Sequence, residues 1–221
     1  MTRDRANFFS YLFIIAAVGV AAFLYPGLPD AVPSHWNIHG EVDGYVSKPW
    51  GVIILPLAAI LVFIVMRLIP VISPKGYRTE SFANVMHTFQ VTLVGFTSLV
   101  AILVLLAASG MDVPMNESIF AALGVMFMVF GNYLGKTRKN FFLGIRTPWT
   151  LASDEVWART HRLAGRLFML HGLIMFSGVF FDVPVELLLG MIGVIVLVPV
   201  VYSYVVYRRI EGFGEGGGSL R

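Results

Sequence analysis

Two stretches of this chain concentrate side chains that can hold metals, move protons or grip anions. In the first, His35, Trp36, Asn37, His39, Glu41, Asp43 and Tyr45 crowd one proline- and glycine-rich segment. On a helix, His35 and His39 stand at i and i+4 and share a face, so with Asp43 as third ligand they form a candidate divalent-metal site. Two histidines without cysteine or an H-E-x-x-H pattern are a weak metal signal. The same residues read as ties within a structured loop, or as contacts for a peptide or a lipid headgroup through His35, Trp36, Asn37, His39, Asp43 and Tyr45.

The second stretch holds Asn132, Arg138, Asn140, Arg146, Thr147, Trp149, Trp157, Thr160, His161 and Arg162. Arg146 and Arg162 can grip a phosphate, with His161 as acid or base. Pro148 pushes Thr147 towards an extended conformation. Ser153 suits a helix N-cap, and Asp154 and Glu155 suit the first turn. On the helix that follows, Arg159, Arg162 and Arg166 make one basic stripe, and Trp157 and His161 share a face. The stripe fits an acidic partner or an anionic lipid headgroup, and equally the ordinary anchoring of a cytoplasmic helix end. Anchoring needs charge alone. The amides, hydroxyls and tryptophans around it ask for more.

The elements that position these groups follow from composition. Apolar residues make up 57% of the 221 and charged residues 13%, against ~25% charged in soluble domains. Mean hydropathy is +0.78. A disordered chain is excluded, and a water-soluble surface cannot be built from so few charges. With no cysteine, disulfides, thiolate metal sites and thiol catalysis are excluded. G-x-S-x-G and P-loop patterns are absent, and adjacent Asp154 and Glu155 point to different sides of a helix.

Six apolar runs stand out, at 8–25, 51–69, 89–108, 119–134, 163–181 and 185–207. About 20 residues of helix cross a hydrocarbon core of ~30 Å, and backbone groups in lipid must bond internally, so the runs are read as helices. The first reads as a retained span, since no clean cleavage site follows it. The fourth is the shortest and needs its flanks to reach the interface. The expected fold is therefore an all-α integral membrane protein, a bundle of six transmembrane helices. With the N-terminus inside, every one of the 16 Lys and Arg except Lys48 falls inside, which sets both termini cytoplasmic. Gln90, Asn132 and His171 lie in or near the spans, where such groups usually face the bundle interior; for His171 an interhelical hydrogen bond is expected, with a proton or ligand relay as the sharper alternative. No Asp, Glu, Lys or Arg sits mid-span, which argues against an ion-coupled transporter. Gly131-x-x-x-Gly135 permits close helix approach. The chain divides into 1–50 (first span and external loop), 51–115 (spans two and three), 116–210 (a core of spans four to six with the basic loop 135–162) and a flexible glycine-rich tail, 211–221.

Leu28-Pro29, Val32-Pro33-Ser34-His35-Trp36-Asn37, Gly40, Asp43-Gly44-Tyr45 and Lys48 resemble a small N-terminal domain of unknown function, the DUF1648 type. Gly131-Asn132, Lys136, Asn140, Gly144-Ile145-Arg146-Thr147-Pro148-Trp149-Thr150, Trp157 and Thr160-His161-Arg162 resemble the SdpI-like family. That resemblance implies a multi-pass protein of the bacterial inner membrane that protects against a membrane-active peptide toxin outside. It further implies signalling, by holding a transcriptional repressor at the membrane. No cofactor is implied, beyond the divalent metal considered at the external loop. Partners are then membrane lipids, a peptide outside, and a regulator or anionic headgroup inside, without direct binding to nucleic acid. The competing readings are a metal-dependent or lipid-directed membrane enzyme and a transporter.

Overall fold

The computed structural model describes residues 1–75, 77, 79–181 and 183–212. Gly76, Arg78, Asp182 between the fifth and sixth apolar runs, and the tail from 213 lie outside the described residues. Among the described residues seven α-helices and one hairpin follow in order: α1 (Arg3–Leu24), β1 (Ala31–Trp36), β2 (Val42–Ser47), α2 (Lys48–Ile72), α3 (Ala83–Ala108), α4 (Met115–Leu134), α5 (Pro148–Ala152), α6 (Asp154–Ser177) and α7 (Val185–Ile210).

Among the described residues five segments are long and apolar enough to cross a membrane: Arg3–Gly27, Lys48–Ile72, Glu80–Ala108, Met115–Leu134 and Val185–Ile210. α6 is not among them, because Asp154, Glu155, Arg159, Arg162 and Arg166 fall within its first thirteen residues. The helix of the fifth run begins at Asp154 and ends at Ser177, with residues 178–181 in turns. The fourth run is longer than its apolar stretch suggests. α4 starts at Met115 and counts 20 residues, which at ~1.5 Å each span the ~30 Å core. Its polar first turn carries Glu117, where an acid complements the helix dipole.

Large apolar side chains point outwards, among them Phe23 (82% exposed), Ile15 (68%) and Leu197 (63%). In water such a belt would drive association; in lipid it is the solvated surface. Small and polar residues fill the seams. Ala6, Ser10, Ala17 and Ala21 are buried along α1. Gln90 on α3 faces the bundle interior and donates across to α1, to Ser10 Oγ at 3.1 Å and to Asn7 Oδ1 at 3.4 Å.

α4 and α6 pack most extensively of all the pairs, through glycines seven residues apart on each helix. A Cβ on Gly131 would lie 2.6 Å from the Gly165 carbonyl oxygen, and one on Gly172 the same distance from that of Gly124. Backbone therefore lies against backbone at both levels, as small residues allow in a membrane. His171 is fully buried beside this seam, but neither ring nitrogen has a hydrogen-bond partner; the ring meets Phe127 edge-on at 5.0 Å. The hydrogen bond expected of His171 is thus replaced by an aromatic contact.

The all-α expectation fails at the external segment. β1 and β2 pair antiparallel, with Val32 opposite Val46 and Trp36 opposite Val42. The β-branched and aromatic Val42, Tyr45 and Val46 favour a pleated surface, and Gly40 takes φ +80° at the tip, a conformation that suits glycine. The pairing is irregular on both sides of His35.

Candidate functional site

At the basic-loop end, the uncharged polar residues from Thr137 to His161 turn inward as a clasp. Asn140 is fully buried. Its Oδ1 accepts from the backbone of Phe142 and Leu143, and its Nδ2 donates to the carbonyls of Arg138 and Leu143. One amide thus folds the whole turn. Thr147 caps α5: its backbone N–H donates to Thr150 Oγ1 at 2.9 Å, and the Thr150 N–H donates back to Thr147 Oγ1. Thr147 also shares a hydroxyl hydrogen bond with Ser203 at 3.0 Å, fastening the loop to α7. Ser153 caps α6 and donates to Glu211.

Trp157 and His161 do share a face, and their rings stack at 4.0 Å. The Trp157 indole donates to the Thr137 carbonyl. His161 Nε2 accepts from the Ile145 N–H at 2.9 Å, which leaves Nδ1 as the donor to the Trp157 carbonyl at 2.8 Å. Burial pushes its pKa down to about 4, against the opposing pull of the Trp157 carbonyl. Both nitrogens are spent on backbone, so the acid–base role considered for His161 has no free atom to act with. Gly144 stands against this ring at φ +101°. Thr160 is fully buried and its hydroxyl has no partner.

The remaining members face out. Arg138 is exposed, and Arg146 is exposed but bends its guanidinium onto the Phe141 carbonyl. Trp149 packs edge-on against Tyr204. Asn132 and Arg162 border an open groove between α4 and α6, with Lys136 and Arg166. Arg146, His161 and Arg162 therefore do not converge on one ligand. Thr137, Thr150 and Ser203 complete the clasp, and residue type alone does not single them out. The Thr147-Pro148-x-Thr150 spacing is a capping signal that could have found Thr150; nothing local marks Ser203.

At the other end, the hairpin seats on α1, α2 and α3. Val32 is fully buried with Ala21, Leu28, Val52, Leu105 and Ala108, and a Cβ on Gly51 would strike it at 2.7 Å. Asn37 organises the tip. Its Oδ1 accepts from the N–H groups of His39 and Glu41, and its Nδ2 donates to Glu41. Asn116 of α4 donates to the Ile38 carbonyl at 2.9 Å. The shared helix face assumed for His35 and His39 does not exist: His35 lies in a strand and pairs with Asp43, while His39 sits in the tip turn. Among the described residues no three His, Asp or Glu side chains gather as a metal site. Ile38, Tyr45 and Trp50 are each more than 60% exposed. The two motifs lie at opposite ends of the bundle.

Comparison with known proteins matches both ends. Residues 136–203 match the SdpI/YfhL protein family, and residues 12–60 match a domain of unknown function, DUF1648. The chain is 22% identical over 210 residues to the protein called Immunity protein SdpI of Bacillus subtilis (strain 168), covering 94% of this chain and 99% of that one. No solved structure matches.

Proposed function

We propose that this chain, with its SdpI/YfhL segment at one end of the bundle and its DUF1648 segment at the other, is an immunity protein of the bacterial cytoplasmic membrane. It protects the cell that makes it against a membrane-active peptide met at the hairpin. The observation that carries this reading is the near full-length match to an immunity protein, which includes hairpin and clasp alike. The hairpin supports it. Ile38, Tyr45 and Trp50 present apolar and aromatic surface on a rigid frame beside the membrane boundary, which suits an amphipathic peptide.

The proposed topology has six spans and both termini inside. α6 runs beside α4 from Arg162 at Gly135 to Phe176 at Gly124, so it shares whatever membrane α4 crosses. With α6 left outside the membrane, Arg208 and Arg209 at the end of α7 would fall on the side of the hairpin, against the bias of basic residues to the inside.

The test is survival of a sensitive strain against a panel of membrane-active peptides, with and without the protein. Selective protection against one peptide is expected. Ile38→Ser with Tyr45→Ser should remove most of it at unchanged protein level, because neither side chain holds the hairpin. Asn37→Ala should also remove it, by loosening the tip. Full protection by the Ile38/Tyr45 variant would place the contact elsewhere, and no protection by the native chain against any peptide would end the reading.

A further inference from the structure

The groove between α4 and α6 encloses about 550 Å³, and its two ends differ in chemistry. One end is bordered by Asn132, Lys136, Arg162 and Arg166. The other continues along Met169, Leu170 and Leu173, with both leucines 51% exposed. Among the described residues no acid lines it.

The glycine register fixes the depth of each cation. The Cβ position of Gly135, one residue past the end of α4, faces Arg162 Cγ at 3.3 Å, while Gly131 faces Gly165. Arg162 is therefore level with the end of α4. Arg166 is one turn, ~6 Å, further towards the apolar interior. A guanidinium at that depth needs a counter-charge or strong hydrogen-bond acceptors. The neighbouring acids are taken: Asp154 pairs with Lys139 at 3.2 Å and Glu155 with Arg159 at 2.6 Å. Arg162 is the weakest of the influences on Glu155. On the α7 side, Arg159, Arg162 and Arg166 border a second groove together with Tyr202 and Glu155. Among the described residues no salt bridge engages Lys136, Arg162 or Arg166. Lys136 rests its ammonium over the Tyr133 ring at 4.5 Å.

We propose that this groove binds one anionic phospholipid, with its phosphodiester between Arg162, Arg166 and Lys136 and an acyl chain along Leu170 and Leu173. Guanidinium forks suit phosphate oxygens. The site stands independently of the peptide proposed at the hairpin.

Native mass spectrometry of the full chain in detergent, titrated with phosphatidylglycerol or phosphatidylcholine, tests it. One phosphatidylglycerol per chain is expected to bind about tenfold more strongly than phosphatidylcholine, and Arg162→Gln with Arg166→Gln to remove that preference. Lysine at both positions should restore most of it, Arg159→Gln should leave it intact, and millimolar inorganic phosphate should not displace the lipid. Equal binding of the two lipids overturns the proposal. So does equal loss with Arg159→Gln, which would mean diffuse charge. Displacement by phosphate would mean a free-anion site rather than a lipid site. If the glutamine variant does not fold, the comparison of lipids and the phosphate competition on the native chain decide alone.

Discussion

A histidine whose two nitrogens both hold backbone groups cannot take up a proton without letting one of them go. For His161, protonation at Nε2 would eject the Ile145 N–H. Its pKa of about 4 in the folded chain lies below the ~6.5 of an unfolded histidine. The depressed value means that its contribution to stability is complete above pH ~6.5, falls as pH drops towards 4, and changes no further below that. The difference amounts to roughly 3 kcal/mol across the window. Thermal unfolding of purified protein from pH 8 to 4 should show this fall, and His161→Gln should flatten it while lowering the melting temperature at pH 8. An unchanged slope in the variant would assign the pH dependence to other groups. Residue type alone marks His161, Asn140 and Thr147 as important. It does not distinguish a ligand from a tie, because the same lone pairs serve either purpose until their partners are known. Asn37 shows the same ambiguity at the hairpin tip.

Elements are legible in the sequence to different depths. The Ser153 cap and the acids behind it place the start of α6 correctly, since the signal is local. The hairpin reads as a loop, because Pro33 and the polar pair Ser34 and His35 interrupt the alternation that marks a strand. What seats it is Val32 in a pocket made by three distant helices, and no local pattern carries that. The α4–α6 register is also hidden: Gly131-x-x-x-Gly135 is common, whereas the pairing of Gly124 with Gly172 and Gly131 with Gly165 shows only across both helices. A methyl at Gly131 must push the α4 and α6 backbones apart, so Gly131→Ala should cost about 1–3 kcal/mol. Gly190→Ala on α7 meets nothing within 4 Å and should be neutral or gain up to ~1 kcal/mol of helix propensity. Melting of both variants in the same detergent checks the pair; equal losses would refute the seam.

At the scale of the whole molecule, composition and apolar runs identify a membrane protein directly, because the bilayer imposes length and polarity on each span. Five spans satisfy that rule and α6 does not, since packing on α4 rather than its own hydropathy positions it. The absence of cysteine makes the proposed topology easy to read. Ser47→Cys on β2 should react with an impermeant maleimide in intact spheroplasts, and Arg138→Cys only after permeabilisation; the reverse pattern would invert the topology. The seam between α3 and α4 is thin beside that between α4 and α6, and it borders an apolar cavity of about 470 Å³ lined by α1, α3 and α4. Residues 109–114 join its two sides. α1, α2 and α3 carry the hairpin, α4, α6 and α7 carry the clasp, and each side holds one of the two family segments. The protein is in that sense severable. Cut after Gly110 and made as two polypeptides, it should reassemble in the bilayer and co-purify, held by Phe89 against Phe130 at 4.6 Å at one end of the seam and by the Asn116–Ile38 hydrogen bond at the other.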